Sequence, residues 1–208
     1  MHLSIRLLTG LVIVLLSLGR PALASAETLL VLGDSLSAGY GIQQELGWVS
    51  LLEKKLQRQN SAFEVVNASV SGETTAGGLQ RLPSALERHS PRWVLVELGA
   101  NDGLRGGNIN SMRNNLAAIL EQVKRAGAQP ILFEMMLPPN YGATYTRLFQ
   151  QSFSDLASRH DVPLVPFFLA DVANEPHLLQ EDRMHPTEAA QPLILDRVWP
   201  VLEPLLNN

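Results

Sequence analysis

Three residues of the chain carry the side chains that a serine nucleophile needs. Ser35 follows an apolar run and Gly33, so we expect its hydroxyl to stand at a sharp turn directly after a strand. A serine hydroxyl is a poor nucleophile until a neighbouring base takes its proton. His185 is the candidate base, because Asp182 stands three positions earlier and Pro186 fixes the loop that follows. The carboxylate would orient the imidazole and stabilise its protonated form.

Two further residues are candidates to stabilise negative charge on a substrate oxygen. Gly72 has no Cβ, so its backbone N–H can approach a substrate closely. Asn101 follows the third apolar run, and its amide can donate a hydrogen bond where a carboxylate could only accept one. Removing one such donor costs about 3 kcal/mol in other enzymes. Taken alone, each residue is equally well explained as part of an ordinary turn or helix cap.

The reactive motifs also have simpler explanations when each stands alone. Gly-Asp-Ser at 33–35 occurs in ordinary turns, and Asp182 with His185 could form a helix cap beside a solvated histidine. The Gly-x-Ser-x-Gly elbow is disfavoured, because Ser37 occupies its fifth position. A metal site is disfavoured as well, since no His-Glu-x-x-His, His-x-His or cysteine cluster accompanies these residues.

The apolar pattern predicts the elements that position these residues. Short runs rich in β-branched residues alternate with longer stretches of helical period, which predicts an α/β fold with a parallel sheet covered by helices on both faces. The predicted strands are 28–32, 63–66, 93–98, 130–133 and 162–165, and the predicted helices are 48–59, 75–87, 109–126, 145–159 and 186–205. Reactive groups are then expected just beyond the carboxyl ends of the strands.

Residues 1–26 have the pattern of a signal peptide. Arg6 precedes an apolar run at 7–18, which is too short for a transmembrane anchor, and small residues follow at Ala24 and Ala26. We expect cleavage after Ala26, with cleavage after Ala24 as the alternative. The sequence therefore predicts export to the periplasm or the medium, and a single domain over residues 27–208.

Composition excludes several classes of partner. The formal net charge is −4, and loss of Arg6 and Arg20 with the signal peptide makes it more negative, so nucleic acid is not an expected partner. The chain contains no cysteine, which excludes a disulfide framework and a lipid-modified cysteine. We therefore expect no stable membrane anchor.

Four segments together resemble the GDSL or SGNH hydrolase family over nearly the whole chain after residue 26. In the family's order they are Gly-Asp-Ser-Leu at 33–36, Gly72, Gly-Ala-Asn-Asp at 99–102, and Asp-Arg-Met-His-Pro at 182–186. The resemblance implies a three-layer α/β/α sandwich with a flavodoxin-like, mostly parallel five-stranded sheet. It also implies a monomer that uses neither metal nor cofactor.

The resemblance assigns a role to each matching residue. It implies Ser35 as nucleophile, His185 as general base and Asp182 as its partner. It further implies oxyanion donors from the Ser35 N–H, the Gly72 N–H and the Asn101 side chain. The commonest form of the last motif is Asp-Gly-x-His, and we expect Arg183 in place of that glycine to alter the charge at the rim of the site but not the mechanism.

Longer stretches at 31–41, 67–75 and 137–142 are similar to small bacterial exported enzymes that combine arylesterase, acyl-coenzyme A thioesterase and lysophospholipase activities. The likeness implies a small-molecule ester or thioester substrate with an apolar acyl chain. The loops flanking Ser35 supply the residues that we expect to contact this substrate, namely Thr74, Thr75, Pro138, Tyr141 and Tyr145.

Other functions remain open on the sequence alone. A carbohydrate or small-ester acetylesterase of the same superfamily would use the same reactive residues. A non-catalytic lipid-binding protein would share the fold but not need the intact set of Ser35, Asp182 and His185. A phosphate- or flavin-binding module is disfavoured, because its glycine-rich fingerprint is missing.

Overall fold

The computed structural model describes residues 27–59 and 61–207, so the predicted signal peptide lies outside the described residues. Five strands form one sheet in the order β2-β1-β3-β4-β5, and every pair of neighbours is parallel. The strands are β1 (Glu27–Gly33), β2 (Phe63–Asn67), β3 (Trp93–Glu97), β4 (Gln129–Phe133) and β5 (Leu164–Val165).

Helices cover both faces of this sheet. They are α1 (Ser35–Ala38), α2 (Trp48–Arg58), α3 (Thr75–His89), α4 (Ala100–Leu104), α5 (Ile109–Arg125), α6 (Ala143–His160) and α7 (Gln191–Leu206). Helix α2 packs against α7 on one face, while α5 packs between α3 and α6 on the other. The helices occupy both faces because the chain first moves from β1 to β2 at one edge and then back across the sheet to β3, β4 and β5. Right-handed crossovers in opposite directions place their helices on opposite faces of a sheet. The predicted three-layer, flavodoxin-like fold is confirmed, with a sheet that is entirely parallel.

The central strands form the core because both of their faces are covered. Residues Leu29 to Leu32 of β1 and Val94 to Val96 of β3 have no exposed surface. Such uninterrupted apolar runs are typical of parallel strands buried on both sides. The aromatic rings of Trp48, Phe133 and Phe168 pack against one another, and Phe149 packs edge-on against Phe153.

The closing helix begins later than the sequence predicted. It was expected from residue 186, but Pro186 pairs with Leu179 in an isolated antiparallel bridge. A 3-10 turn at Glu188–Ala190 follows before α7 begins. The short helices α1 and α4 were not predicted, and β5 has only two residues. Except for the late start of α7, these departures concern segments of two to five residues, which are too short for a hydrophobic period to reveal them.

The sheet order creates one crevice at its carboxyl edge. β1 and β3 are neighbours, but the chain leaves β1 toward β2 and leaves β3 toward β4. Such a switch point is where open α/β sheets bind their ligands, because the connections diverge and leave the strand ends uncovered. Ser35 begins α1 directly after β1, and Asn101 lies in α4 shortly after β3.

Candidate active site

Ser35 is presented by a strand, a capping residue and a single helical turn. Asp34 caps α1, and its Oδ1 accepts a hydrogen bond from the Leu36 N–H at 3.0 Å. Gly39 then ends the helix in the left-handed region at φ 74°. Because the chain must turn sharply within these few residues, the Ser35 side chain stands at the mouth of the crevice.

The structure brings His185 and Asp182 to Ser35 across 150 residues of sequence. The Nε2 atom of His185 lies 2.8 Å from the Ser35 Oγ, and its Nδ1 lies 2.6 Å from Oδ2 of Asp182. The other carboxylate oxygen accepts the backbone N–H groups of Met184 and His185 at 2.9 and 3.0 Å. Asp182 therefore fixes both the ring and the backbone of the histidine.

We call residues 180–186 the histidine loop. The Gln180 N–H donates to the His185 carbonyl at 2.8 Å, and the Gln180 side chain donates to the carbonyls of Tyr40 and Pro186. The Tyr40 ring lies 4.5 Å from the imidazole, measured between centroids. Arg183 adopts a positive φ of 56° within this loop, which side chains with a Cβ rarely do. The loop is thus tied to the segment that follows α1.

Hydrogen bonds keep the Asp182 carboxylate ionised. The backbone N–H of His185, followed by its side chain, lowers the pKa of Asp182 from 3.8 to about 2, against a small opposing effect of burial. Its side chain is 41% exposed, so water also solvates the charge. An ionised carboxylate can accept from Nδ1–H, which leaves Nε2 unprotonated and facing the serine hydroxyl.

Gly72 and Asn101 lie on the other side of Ser35. Gly72 has a φ of +77°, and its carbonyl accepts a hydrogen bond from Arg105 Nη2 at 2.9 Å. The Asn101 Nδ2 donates to Oδ2 of Asp34 at 3.1 Å. Gly72 and Asn101 line the same cavity as Ser35. The arrangement can therefore offer backbone and side-chain donors to an oxygen bound beside the serine.

A cavity of about 520 Å³ extends from these polar groups. Its outer walls are mostly apolar and come from the loops that follow β3, β4 and β5 and from the histidine loop. The apolar lining residues are Leu36, Ala100, Leu104, Met135, Met136, Leu137, Pro138, Pro139, Phe167, Leu169, Ala173, Leu179 and Met184. The polar groups and the apolar walls thus form one continuous pocket.

Of the five residues predicted to contact substrate, only Pro138 lines this cavity. The other four have bonds within the fold. Thr74 caps α3, and Thr75 is buried with its hydroxyl 2.6 Å from Asp102. The hydroxyls of Tyr141 and Tyr145 donate to the carbonyls of Leu104 and Gly107 at 2.9 and 2.7 Å. These side chains therefore stabilise the segments that form the cavity, but they do not line it.

Sequence reasoning overlooked two groups of residues. Phe167 and Leu169 follow the weak fifth strand, so the rule that ligands lie beyond strand ends would have found them. Glu97 was included in an apolar strand, although it is a fully buried carboxyl group that contacts the turn carrying Ser35. Among residues 27–59 and 61–207, no cluster of three or more His, Asp or Glu side chains could hold a metal ion.

The parallel five-stranded sheet, with a serine, a histidine and an aspartate brought together at its switch point, is typical of the SGNH class of ester hydrolases. The family model of the GDSL-like lipases and acylhydrolases matches residues 31–192. The chain therefore belongs to the GDSL-like lipase/acylhydrolase family, which confirms the resemblance seen in its motifs, and it is an ester-hydrolysing enzyme. In the part of the chain that the structure describes, no helix is long and apolar enough to cross a membrane.

Two relatives are similar over most of their length. The chain is 49% identical over 185 residues to "Thioesterase 1/protease 1/lysophospholipase L1" of Escherichia coli (strain K12), which covers 89% of this chain and 88% of the relative. It is 46% identical over 183 residues to "Esterase TesA" of Pseudomonas aeruginosa, and this match covers 88% of this chain and 91% of the relative.

A solved structure is also similar. The psychrotrophic esterase EstA from Pseudoalteromonas sp., in a form inhibited by monoethylphosphonate, superimposes with a TM-score of 0.84 at 45% identity. The match covers 88% of this chain and 100% of the esterase.

Proposed function

We propose that this protein is an exported serine hydrolase that cleaves esters and thioesters of apolar acyl chains through an acyl-enzyme on Ser35. One observation carries the proposal. His185 lies within hydrogen-bond distance of both the Ser35 hydroxyl and the Asp182 carboxylate. That order of nucleophile, base and orienting carboxylate is the Ser-His-Asp arrangement, recognised by its geometry and not by sequence position.

In the first step, the Ser35 oxygen attacks the acyl carbon while its proton moves to Nε2 of His185. A bond forms between Oγ and the acyl carbon, and the carbonyl oxygen becomes negatively charged. Asp182 stabilises the imidazolium that results, because its carboxylate is ionised and bonded to Nδ1. The imidazolium then protonates the leaving alcohol or thiol as its bond to the acyl carbon breaks.

In the second step, water attacks the ester formed on Ser35. His185 takes a proton from the water, a second oxyanion forms, and the acid is released as Ser35 regains its proton. The Ser35 N–H, the Gly72 N–H and the Asn101 amide stabilise the oxyanion in both steps. Removing one such donor in other enzymes lowers kcat by about 10²- to 10³-fold.

The cavity supports a preference for apolar acyl groups. Its volume of about 520 Å³ far exceeds what an acetyl group needs, and its walls beyond Ser35 are largely apolar. Each buried methylene contributes about 0.8 kcal/mol when it leaves water, so a longer chain gains binding energy until the cavity is filled. This disfavours a strict acetylesterase. Thioesters and lysophospholipids meet the same requirement, in keeping with the thioesterase and lysophospholipase named for the E. coli relative.

Export is the remaining part of the proposal. The basic, apolar and small-residue regions of residues 1–26 support a signal peptide, and residues 27–208 would then form a single hydrolase domain that acts as a monomer. The N-terminal sequence of the protein recovered from outside the cytoplasm tests this part. Glu27 at the new terminus supports cleavage after Ala26, whereas an intact Met1 in all fractions would contradict export.

The test of the activity combines one substitution with a substrate series. Nitrophenyl esters of increasing chain length are compared with a lysophospholipid and an acyl-coenzyme A. We expect kcat/KM to rise with chain length beyond acetyl, and Ser35→Ala to abolish turnover of every substrate. Ser154→Ala, on the outer face of α6, is the matched control and should behave as wild type. Turnover by Ser35→Ala near the wild-type level would contradict the proposal, and a sharp preference for acetyl esters would favour the acetylesterase.

A further inference from the structure

Glu97 is a buried carboxyl group in an otherwise apolar strand. It is the last residue of β3, its side chain has no exposed surface, and the β3 residues before it are all buried and apolar. Burying a carboxylate is costly unless the charge is paired or hydrogen-bonded. The hydrogen bonds that Glu97 makes come from an N–H and a hydroxyl, not from a cation. The position therefore bears a cost that an apolar residue would avoid.

The contacts of Glu97 lie on both sides of Ser35. Its Oε2 accepts the Asp34 N–H at 3.1 Å and lies 2.6 Å from the Ser37 hydroxyl. A Cβ on residue 33 would come within 2.6 Å of the same oxygen, so Gly33 is what lets the carboxyl group approach the turn. Glu97 thus holds Asp34 and Ser37, which lie on either side of Ser35 in the sequence.

Asp34 continues the contact to Asn101. The Asp34 side chain is 1% exposed, and its Oδ1 is occupied by the Leu36 N–H. Its Oδ2 accepts one N–H of the Asn101 amide at 3.1 Å. A primary amide has two N–H donors, so fixing one of them leaves the other free for the cavity that Asn101 lines. Asp34 thereby sets the plane of the amide that the proposed function assigns to the oxyanion.

We propose that Glu97 and Asp34 are positioning residues that act as one unit, in which Glu97 is protonated, Asp34 carries the single negative charge, and the pair holds the Ser35 turn and the Asn101 amide in place. The inference rests on the proposed function, since it concerns the same oxyanion site. Glu97 does not line the cavity, and Asp34, which does, has both carboxylate oxygens bonded to the Leu36 N–H and the Asn101 amide. Glu97 acts through Asp34 and Ser37, and Asp34 acts through Asn101.

Electrostatics supports a protonated Glu97. Burial, followed by the neighbouring Asp34 charge, raises the pKa of Glu97 well above its usual value. Burial also raises the pKa of Asp34 to about 6, against the hydrogen bonds that lower it. Two carboxyl groups that are both buried, on residues joined by the Asp34 N–H bond to Glu97, cannot both ionise at low cost. Glu97 is the more deeply buried of the two, so it holds the proton.

Substitutions at Glu97 separate its charge from its hydrogen bonds. Glutamine has the shape of a protonated glutamate, so we expect Glu97→Gln to keep kcat within about threefold of wild type. Glu97→Ala removes the acceptor of both contacts, and misplacing catalytic groups by about 1 Å can cost 10²-fold, so we expect kcat to fall by about 10- to 100-fold with little change in KM. Glu121→Gln, on the exposed face of α5, is the matched control.

A double-mutant cycle tests whether Asp34 acts through Asn101. Asp34→Asn keeps an oxygen for the Leu36 N–H but loses the acceptor for the Asn101 amide. Alone it should lower kcat by about 10-fold or more, whereas in an Asn101→Ala background it should have almost no further effect. Additive losses from the two substitutions would overturn the proposal. Unfolding midpoints of the near-isosteric variants show whether each is folded at the assay temperature.

A spectroscopic measurement reads the proton directly. The infrared difference spectrum of wild type minus Glu97→Gln should show the carbonyl band of a protonated carboxylic acid near neutral pH. A carboxylate band in its place, or a Glu97→Gln variant as slow as Glu97→Ala, would overturn the protonated Glu97 of the proposal. Failure of the proposed function is distinct, because it would appear as activity that survives Ser35→Ala whatever the Glu97 variants do.

Discussion

Two aspartates flank Ser35, and their surroundings shift their pKa values in opposite directions. Asp34 lies in the buried floor of the site, by which we mean residues 33–37 together with Glu97, and burial raises its pKa to about 6. Asp182 lies in the exposed histidine loop, where hydrogen bonds from His185 lower its pKa to about 2. Burial of the floor costs stability but fixes the geometry of the Ser35 turn, whereas Asp182 in the histidine loop carries a full negative charge that is still partly hydrated.

The largest expected effect belongs to the base. His185→Ala removes the group that accepts the Ser35 proton, so kcat should fall by about 10⁴- to 10⁶-fold, as it does when a triad member is removed elsewhere. Ester hydrolysis at saturating substrate measures this loss. His177→Ala is the matched control, because the His177 side chain is 73% exposed and lies beside the Glu175 carboxylate, at a distance of 3.7 Å. A loss of less than 10-fold would mean that His185 is not the base.

Asp182→Asn should have the next largest effect. An amide cannot supply the negative charge that stabilises the imidazolium, and it can favour the wrong tautomer, so we expect kcat to fall by about 10³- to 10⁴-fold. Asp171→Asn, at an exposed ion pair with Arg197, is the control. The contrast between the two aspartates would be wrong if Asp182→Asn and Asp34→Asn lowered kcat equally and neither lowered it further in an Asn101→Ala background. Asp182 would then act through Asn101, as we propose for Asp34.

The buried carboxyl groups of the floor should lower the free energy of unfolding as the pH rises. A carboxyl group whose pKa is raised on folding destabilises the protein once the unfolded chain ionises, so the cost is absent below about pH 4 and grows above it, by on the order of 1.4 kcal/mol for each pKa unit. Other ionisable groups near this floor are the Asp34 carboxyl, the His185 imidazole and the Arg81 guanidinium, which donates a hydrogen bond to the Gly33 carbonyl.

Chemical denaturation of wild type and Glu97→Gln between pH 4 and 8 tests this cost. The variant should gain stability relative to wild type as the pH rises. A difference in unfolding free energy that stays constant over this range would show that Glu97 ionises equally in both states. Glu121→Gln again provides the control, because its carboxyl group is exposed and its surroundings barely change on unfolding.

The smallest expected effect lies in the histidine loop. Arg183 holds a φ of 56°, which glycine adopts without strain, so Arg183→Gly should raise the unfolding free energy by about 0.5 to 1 kcal/mol. Ser90→Gly, which ends α3 at φ 40°, is the matched control and should show a similar gain with unchanged activity. A loss of stability at Arg183→Gly alone would indicate that the arginine side chain stabilises the loop.

The same contrast explains what could be predicted from the sequence. The strands and the five long helices follow from apolar periodicity, and the residues after β1 and β3 follow from the rule that ligands lie beyond parallel strands. Ser35, Asp182 and His185 stand in short motifs whose reactive side chains are unmistakable once taken together. Their proximity could therefore be expected, although 150 residues separate the serine from the histidine.

The remaining features depend on contacts that no local pattern encodes. Thr75 and Tyr145 stand in the first turns of α3 and α6 near the site, but their hydroxyls bond to Asp102 and Gly107, and neither residue lines the cavity. Glu97 sits at the end of an apolar strand, and only the sheet register, which pairs it with Gly33, places it beneath Ser35. Sequence proximity to a motif is thus a weaker guide than position across neighbouring strands.

Labelling with a fluorophosphonate tests the central claim most directly. An activated serine displaces fluoride and keeps the phosphonyl group, and peptide mass spectrometry then locates the adduct. The account predicts one adduct per chain on Ser35, loss of ester hydrolysis in proportion to labelling, and no labelling of Ser35→Ala. An adduct on another residue, or activity that persists after complete labelling of Ser35, would contradict it.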